Sequence, residues 1–367
     1  MIPLASVIDA FEADFLAQYG SRFNTDQRRA LAAMKRCRSQ ASLKMQVRCG
    51  DCEHQLFVPH SCGNRHCPHC QHHESEQWIA RQRAKQLPVE YFLLTFTLPA
   101  EFRPLCLTHQ GTLYELLLRA AWETVRTFSE NDKQLRGTPG AIAVLHTNTR
   151  RLDYHPHVHL VMPAGAIDAK RKRWNTKRAP GTKGSYLFSH KALAKVFRGK
   201  ILAGIAQAGL ALPARHPVQW VVDCKSVGSG DKALVYLGRY LYRGVIQEKD
   251  IVAVGNGQVS FRYQDAKSKK MALRTVPGAQ FLWLLLQHVL PKGFRRVRNF
   301  GFLHPNCKRL IALLHLVLKY LPVPITAMFR VRPPIACPCC GAAMKIVQTR
   351  LRNRPPTIAT PQGATTM

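Results

Sequence analysis

The sequence predicts an α+β fold, on three observations. Segments rich in aromatic and β-branched residues alternate with segments whose apolar residues recur at helical spacing. Two of the strand-like segments are joined only by TRRLDY, a connector short enough for a hairpin. A block of closely spaced cysteines precedes them, in a pattern typical of metal-bound modules.

The elements follow in order. Over residues 6–34, Val7, Ile8, Phe11, Phe15 and Leu16 fall at the spacing of an amphipathic helix. The cysteine block runs from Cys37 to Cys70, and HHESEQWIARQRAKQLPVE after it reads as a polar helix ended by Pro88. YFLLTFTLP (91–99) is a strand stopped by proline. Leu113, Leu116, Leu117, Ala120, Ala121, Val125 and Phe128 mark a helix over 111–130. AIAVLHTN (141–148) and HPHVHLVMP (155–163) are the second and third strands. Residues 166–184 are basic and lack apolar periodicity, which predicts an exposed loop. SHKALAKVFRGKILAGIAQAGL (189–210) is a helix with Ser189 as N-cap. VQWVVDCK (218–225) is a fourth strand, DKALVYLGRYLYRGVI a helix, and GQVSFRYQD (257–265) a further strand. The chain reads as helical from 278 to Lys319, and its Pro/Thr-rich end from Arg350 is expected to be disordered.

Charge narrows the partners. Lys and Arg number 54 against 21 acidic residues, a net +33. Such a field opposes compaction unless a polyanion neutralises it, so nucleic acid is the first candidate and an anionic membrane surface the second. No apolar run approaches the ~18 residues of a membrane span. QFLWLLLQHVLP is too short and contains Gln287 and His288. The N-terminus is acidic, unlike a signal peptide, so a cytoplasmic protein is expected. In that compartment the twelve cysteines point to metal sites rather than disulfides.

Cys49-x2-Cys52 and Cys67-x2-Cys70 are two knuckles that could wrap one tetrahedral, structural Zn²⁺. Cys37, His54, His60, Cys62, His66 and His69 are further donors, so a second ion or an exchanged ligand stays open. Near the C-terminus Cys337 and Cys340 form half a site, with His304 and Cys307 as one source of the other half.

On a strand, residues i and i+2 share a face, so His157 and His159 project together and can bind one divalent ion. His146 is the preferred third ligand if the flanking strands form a hairpin; His155, Asn148 and Asp153 are weaker alternatives. Tyr236 and Tyr240 share one helical face. A phenol can attack a phosphodiester polarised by a divalent ion, and two phenols permit two successive transfers.

HPHVHLV, YLGRYLYR and LLTFTLP together resemble the HUH endonucleases. With SCGNRHCPHCQ, LPVEYFLLTFTLP and QHVLPKGFRRVRNFGFL added, the chain resembles, over roughly 30–345, the two-tyrosine transposases of the insertion-sequence-ninety-one type. The resemblance implies a central antiparallel sheet flanked by helices, preceded by a small zinc-binding domain and followed by a helical C-terminal region. It implies rolling-circle-like transposition, with His157 and His159 holding Mg²⁺ or Mn²⁺. Tyr236 or Tyr240 would cut single-stranded element ends and target through a 5′-phosphotyrosine. The expected organisation is 1–88 for the N-terminal helix and zinc module, 89–265 for the catalytic domain, 266–330 for a helical region, and 331–367 for a cysteine-containing, partly disordered tail. Arg65, Arg239, Arg243, Lys292, Arg295, Arg296 and Arg298 are the expected DNA contacts, in a bacterial, nucleoid-associated protein. Competing readings are a replication initiator or relaxase with the same chemistry, and a zinc-dependent DNA-binding protein without catalysis.

Overall fold

The structure, a computed structural model, describes residues 2–39, 41–70, 72–168, 170–177, 187–242, 244–322 and 334–351. Helices α1 (Leu4–Tyr19) and α2 (Thr25–Arg36) replace the single helix expected over 6–34. Asn24 restarts the helix through a capping box. Its side chain accepts from Gln27 N at 2.9 Å, and Gln27 Oε1 accepts from Asn24 N at 3.0 Å. Strands β1 (Lys44–Cys49) and β2 (Gln55–Pro59) and helix α3 (His72–Arg83) lead into β3 (Tyr91–Thr97). Helices α4 (Arg103–Thr108) and α5 (Gln110–Asn131) precede the hairpin of β4 (Thr138–Asn148) and β5 (Tyr154–Pro163).

The stretch expected as a loop over 166–184 contains a hairpin instead, β6 (Gly165–Asp168) with β7 (Arg173–Thr176). One large side chain holds it rather than a periodic pattern. Trp174 lies so close to Gly165 that a Cβ there would sit 2.1 Å from its ring. Residues 178–186 fall outside the described residues.

Next come α6 (His190–Gln207), β8 (Val222–Ser226) and α7 (Asp231–Tyr242). Strands β9 (Ile251–Gly255), β10 (Gln258–Gln264) and β11 (Met271–Pro277) form a separate antiparallel sheet. The segment expected to be helical from 278 is interrupted: α8 (Gly278–Leu286), then β12 (Val297–Gly301), then α9 (Lys308–Val317). The first helix stops at Leu286; Pro291 and the left-handed Gly293 (φ 77°) keep it from resuming, and β12 pairs with β4. Finally β13 (Ile335–Ala336) and β14 (Ala343–Leu351) join β1 and β2 in the order β13-β14-β1-β2. The expected disorder beyond β14 lies outside the described residues.

The central sheet runs β7-β6-β4-β5-β3-β8, with β12 also on β4 and every pairing antiparallel. The period of two sorts its side chains. Phe92, Leu94, Phe96, Ala143, Leu145, Val158 and Leu160 face one way, into a core closed by α5 and α6. Ile142, Val144 and Val161 face the other way, against Trp78 of α3, Leu234, Leu237 and Leu241 of α7, and Ile311 and Leu314 of α9. Burying each large apolar side chain contributes about 1.5–3 kcal/mol, so both faces are firmly held. The result is an antiparallel sheet between helical layers, an α+β architecture.

Two of the expected boundaries do not coincide with structural units. Residues of α1, α2 and α8 share one core with Val259 and Phe261 of β10, because Phe11 packs on Gly278 where a Cβ would sit 2.2 Å from its ring. The boundary at 265/266 runs through the sheet of β9, β10 and β11. The segment after 331 supplies β13 and β14 to the sheet of β1 and β2.

Candidate metal and tyrosine site

The β4–β5 register places His146 opposite His157 and Val144 opposite His159. All three imidazoles therefore project from the face that α7 covers. Their ring centroids lie 5.2 Å (His146–His157), 4.3 Å (His146–His159) and 4.9 Å (His157–His159) apart. One nitrogen from each falls within 4.8 Å of the others.

The second nitrogens fix how the rings are presented. His157 Nδ1 donates to the carbonyl of His155 at 2.7 Å, which leaves Nε2 with a free lone pair. His159 Nδ1 pairs with Thr95 Oγ1 at 3.0 Å, Thr95 being its neighbour on β3. His146 is 1% exposed, and its Nε2 has no hydrogen-bond partner among the described residues. A buried nitrogen without a partner is costly, and a divalent ion would satisfy it. Burial holds all three rings in the neutral form that binds metals. It pushes His157 down to about 4 and His159 down to about 3, and drives His146 well below the usual histidine range. The donor set thus fits one divalent cation. The alternatives to His146 do other work: His155 Nδ1 accepts from Arg103 at 2.8 Å, and Asp153 pairs with Arg274 at 2.8 Å.

Both phenols face this group, in different states. The Tyr240 ring stacks on His146 with centroids 3.3 Å apart and planes 12° apart. Its hydroxyl donates to Asn148 Oδ1 at 2.6 Å and accepts from Thr147 N at 3.1 Å. Tyr236 is 49% exposed, and its ring lies 5.9 Å from His146 and 6.0 Å from His159. Among the described residues its hydroxyl makes no hydrogen bond. Desolvation and the neighbouring Tyr240 push its pKa upward.

Helix α7 is braced by α3. Ser75 Oγ donates to the Gly238 carbonyl at 2.8 Å, and Arg83 pairs with Asp231 at 3.1 Å. Gly238 is where the helices meet, since a Cβ there would lie 2.3 Å from Ile79. The QHVLP segment steadies the β4–β5 turn. His288 Nε2 donates to the Leu152 carbonyl at 3.0 Å, and Gln287 donates to the same oxygen at 3.4 Å.

The expected DNA contacts divide. Arg239, Lys292 and Arg295 are exposed. Arg298 is half-buried and paired with Glu115, and Arg65 donates through both terminal nitrogens to the Phe294 carbonyl at 2.8 and 2.7 Å. Arg296 is not a surface contact. It is 8% exposed, with its guanidinium 5.4 Å from the Tyr240 ring centre. Arg243 lies outside the described residues. A cleft of about 1150 Å³ beside α3 and β12 gathers Arg81, Lys85, Arg295, Arg298 and Lys308.

The structure does not bring Cys49, Cys52, Cys67 and Cys70 together. Cys67 and Cys70 cluster with Cys37 and Cys62, while Cys49 and Cys52 cluster with Cys337 and Cys340. The reason is β2, whose five extended residues carry the chain roughly 16 Å between the two knuckles. In the first cluster, Sγ of Cys70 lies 3.7 Å from that of Cys37 and 3.6 Å from that of Cys62. Four sulfurs about 2.3 Å from a tetrahedral ion stand about 3.8 Å apart, so this cluster fits zinc. His304 and Cys307 join neither cluster; His304 Nδ1 accepts from Asn306 N at 3.3 Å. The first cluster also abuts the end of the tyrosine helix, because a Cβ on Gly244 would lie 3.0 Å from the His66 carbonyl.

Sequence reasoning missed Thr95, the anchoring role of Asn148 and Thr147, the interior position of Arg296, and the grouping of the cysteines. Thr95 was open to discovery, since it sits among apolar residues on a strand adjoining the histidine strand.

Comparisons with known proteins give the family. Residues 140–310 match a family described as "Putative transposase", and residues 7–98 match the "Transposase zinc-binding domain". The class is thus a transposase whose zinc-binding domain precedes its core. The chain is 32% identical over 321 residues to "Putative transposase y4qJ" of Sinorhizobium fredii, covering 79% of each chain. It is 28% identical over 331 residues to "Transposase for insertion sequence element IS801" of Pseudomonas savastanoi, covering 81% of this chain and 77% of that one. No solved structure matches. The chain belongs to the IS91-type transposase family. Among the described residues no helix is long and apolar enough to cross a membrane.

Proposed function

We propose that this transposase cuts and joins single-stranded DNA at element ends and target through a tyrosine nucleophile. The observation that carries this reading is the convergence of His146, His157 and His159 beneath the phenols of Tyr236 and Tyr240. A divalent ion such as Mg²⁺ or Mn²⁺, held by the three imidazoles, would neutralise charge on the scissile phosphate.

Tyr236 acts first, since the residue is half-exposed and its hydroxyl makes no hydrogen bond among the described residues, while that of Tyr240 is held by Asn148 and Thr147. The Tyr236 oxygen attacks phosphorus and its proton passes to solvent. The bond from phosphorus to the 3′-oxygen of the preceding nucleotide breaks, and that oxygen takes up a proton. The products are a 5′-phosphotyrosine and a free 3′-OH, and the phosphotyrosine conserves the bond energy for rejoining. Tyr240 then serves a second transfer once its hydroxyl leaves Asn148. Arg296, beneath Tyr240, favours the negative charge that develops on that oxygen. The cleft lined by Arg81, Lys85, Arg295 and Lys308 is the path for the strand.

The test is incubation of the full chain with single-stranded oligonucleotides bearing the element ends, with Mg²⁺ or with EDTA, followed by a denaturing gel. A covalent protein–DNA adduct that needs the metal is expected. Binding without any adduct would overturn the reading.

A further inference from the structure

The zinc-binding domain matched at 7–98 stops far short of Cys337 and Cys340, yet these two complete a second thiol cluster with Cys49 and Cys52. We infer that Cys49, Cys52, Cys337 and Cys340 form a second structural Zn²⁺ site, which closes a zinc ribbon from the two ends of the chain.

The two halves have the same backbone design. Cys49 N donates to the carbonyl five residues on, His54, at 2.9 Å. Cys337 N donates likewise to the carbonyl of Ala342, at 2.8 Å. The fourth residue after each first cysteine is left-handed, Glu53 at φ 59° and Gly341 at φ 76°. Two knuckles 288 apart in numbering (49 to 337) thus adopt one turn that aims both sulfurs the same way. The Asp51 N–H donates to Cys49 Sγ at 3.4 Å, which favours a thiolate there.

Across the cluster, Cys49 Sγ lies 3.5 Å from Cys340 Sγ, and Cys52 Sγ lies 3.6 Å from Cys337 Sγ. A disulfide needs about 2.05 Å. The separations instead approach the edge of about 3.8 Å expected for four sulfurs on a tetrahedral zinc. Cys49 and Cys337 are buried, Cys52 and Cys340 are at the surface, and exposed Cys339 stays outside the cluster. A soft, all-thiolate donor set selects Zn²⁺ over the harder ions suited to the histidine site. Binding releases the thiol protons to solvent.

The surrounding sheet needs such a staple. Among the described residues its buried core is Val47, Cys49, Cys337 and Met344, with Val58, Ile335 and Ala342 partly buried against them. Nearly every residue of β2 and β14 is half or fully exposed. A four-stranded sheet with so little apolar burial is below what independent stability requires, and a bound metal supplies the missing cross-link. Because β14 pairs along β1 from Cys49–Met344 to Lys44–Leu351, the site fastens the last described strand to the N-terminal hairpin.

The test is the zinc content of the purified, reduced full chain, read by elemental mass spectrometry. Two zinc ions per chain are expected. Cys337→Ser with Cys340→Ser should lower this to one, as should Cys62→Ser with Cys70→Ser, while Cys339→Ser should leave it at two. One zinc in the wild-type chain, or two retained in the Cys337/Cys340 variant, would overturn the proposal. If either double variant fails to fold, Co²⁺ titration of the zinc-stripped wild-type chain decides. Sulfur-to-cobalt charge-transfer absorption that grows through two equivalents supports two thiolate sites. Saturation at one equivalent contradicts them.

Discussion

The histidine site and the cysteine clusters both gather small donor groups around a point, yet the chain reaches them by different routes. His146, His157 and His159 stand on adjacent strands of one sheet, and their spacing follows from strand period and register alone. The clustered cysteines sit at the end of β1 and in the turns and loops between elements, and their partners depend on how distant segments pack. Cys49 therefore meets Cys340 rather than Cys67. Sites built on one rigid element can be read from local sequence. Sites assembled from loops are decided by tertiary contacts.

The histidine site should fail most completely. Replacing Tyr236 by Phe should abolish the first adduct, on the order of 10³-fold or more, measured by single-turnover cleavage. His157→Ala should do the same while DNA binding at low salt is kept. A residual adduct near the wild-type level in either variant would break the comparison. Thr95→Val tests the support of the site rather than the site itself. It removes the partner of His159 Nδ1 and should cost about 10–100-fold in metal affinity or cleavage.

The cysteine clusters should act indirectly. Disruption of the first one by Cys62→Ser with Cys70→Ser should loosen the connection into α3 and the brace on α7. The expected outcome is slower adduct formation with unchanged Mg²⁺ dependence. Gly238→Ala probes the same brace from the other side. Its new methyl group meets Ile79 and should destabilise the fold by about 1–3 kcal/mol, read as a lower melting temperature.

A smaller effect concerns pH. Burial depresses His157, His159 and His288 to about 4, 3 and 4, below the value near 6.5 of an unfolded chain. At lower pH the unfolded state binds more protons than the folded one. The stability that these rings share is thus present above about pH 6.5 and is lost as pH falls from there through about 4 and, for His159, about 3. Melting temperatures of the metal-free protein should fall between those limits, and His288→Asn should flatten the slope. The smallest effect is electrostatic. Neutralising exposed Arg295 should reduce the salt slope of DNA affinity by about one, whereas Arg296→Gln should alter cleavage more than the slope.

Much of the fold was legible in sequence. The strands at 91–97, 154–163 and 222–226 and the helices at 110–131, 190–207 and 231–242 carry strong periodic signals. The strands β6, β7 and β12 were not, because each is short and held by partners remote in sequence, such as Trp174 on Gly165. The histidines and tyrosines were legible for the same reason as the long strands. The inequality of the phenols was not, because it depends on Asn148, Thr147 and Arg296, which only folding brings to Tyr240. A sequence shows that Arg296 is basic, and cannot show that it lies under a ring.

The central claim is that the exposed phenol beside the histidines is the first nucleophile. Peptide mapping by mass spectrometry of the adduct from a single-turnover reaction with an element-end oligonucleotide tests it most directly. The account predicts a nucleotide phosphate on Tyr236. Initial modification of Tyr240, or of a residue outside α7, would contradict it.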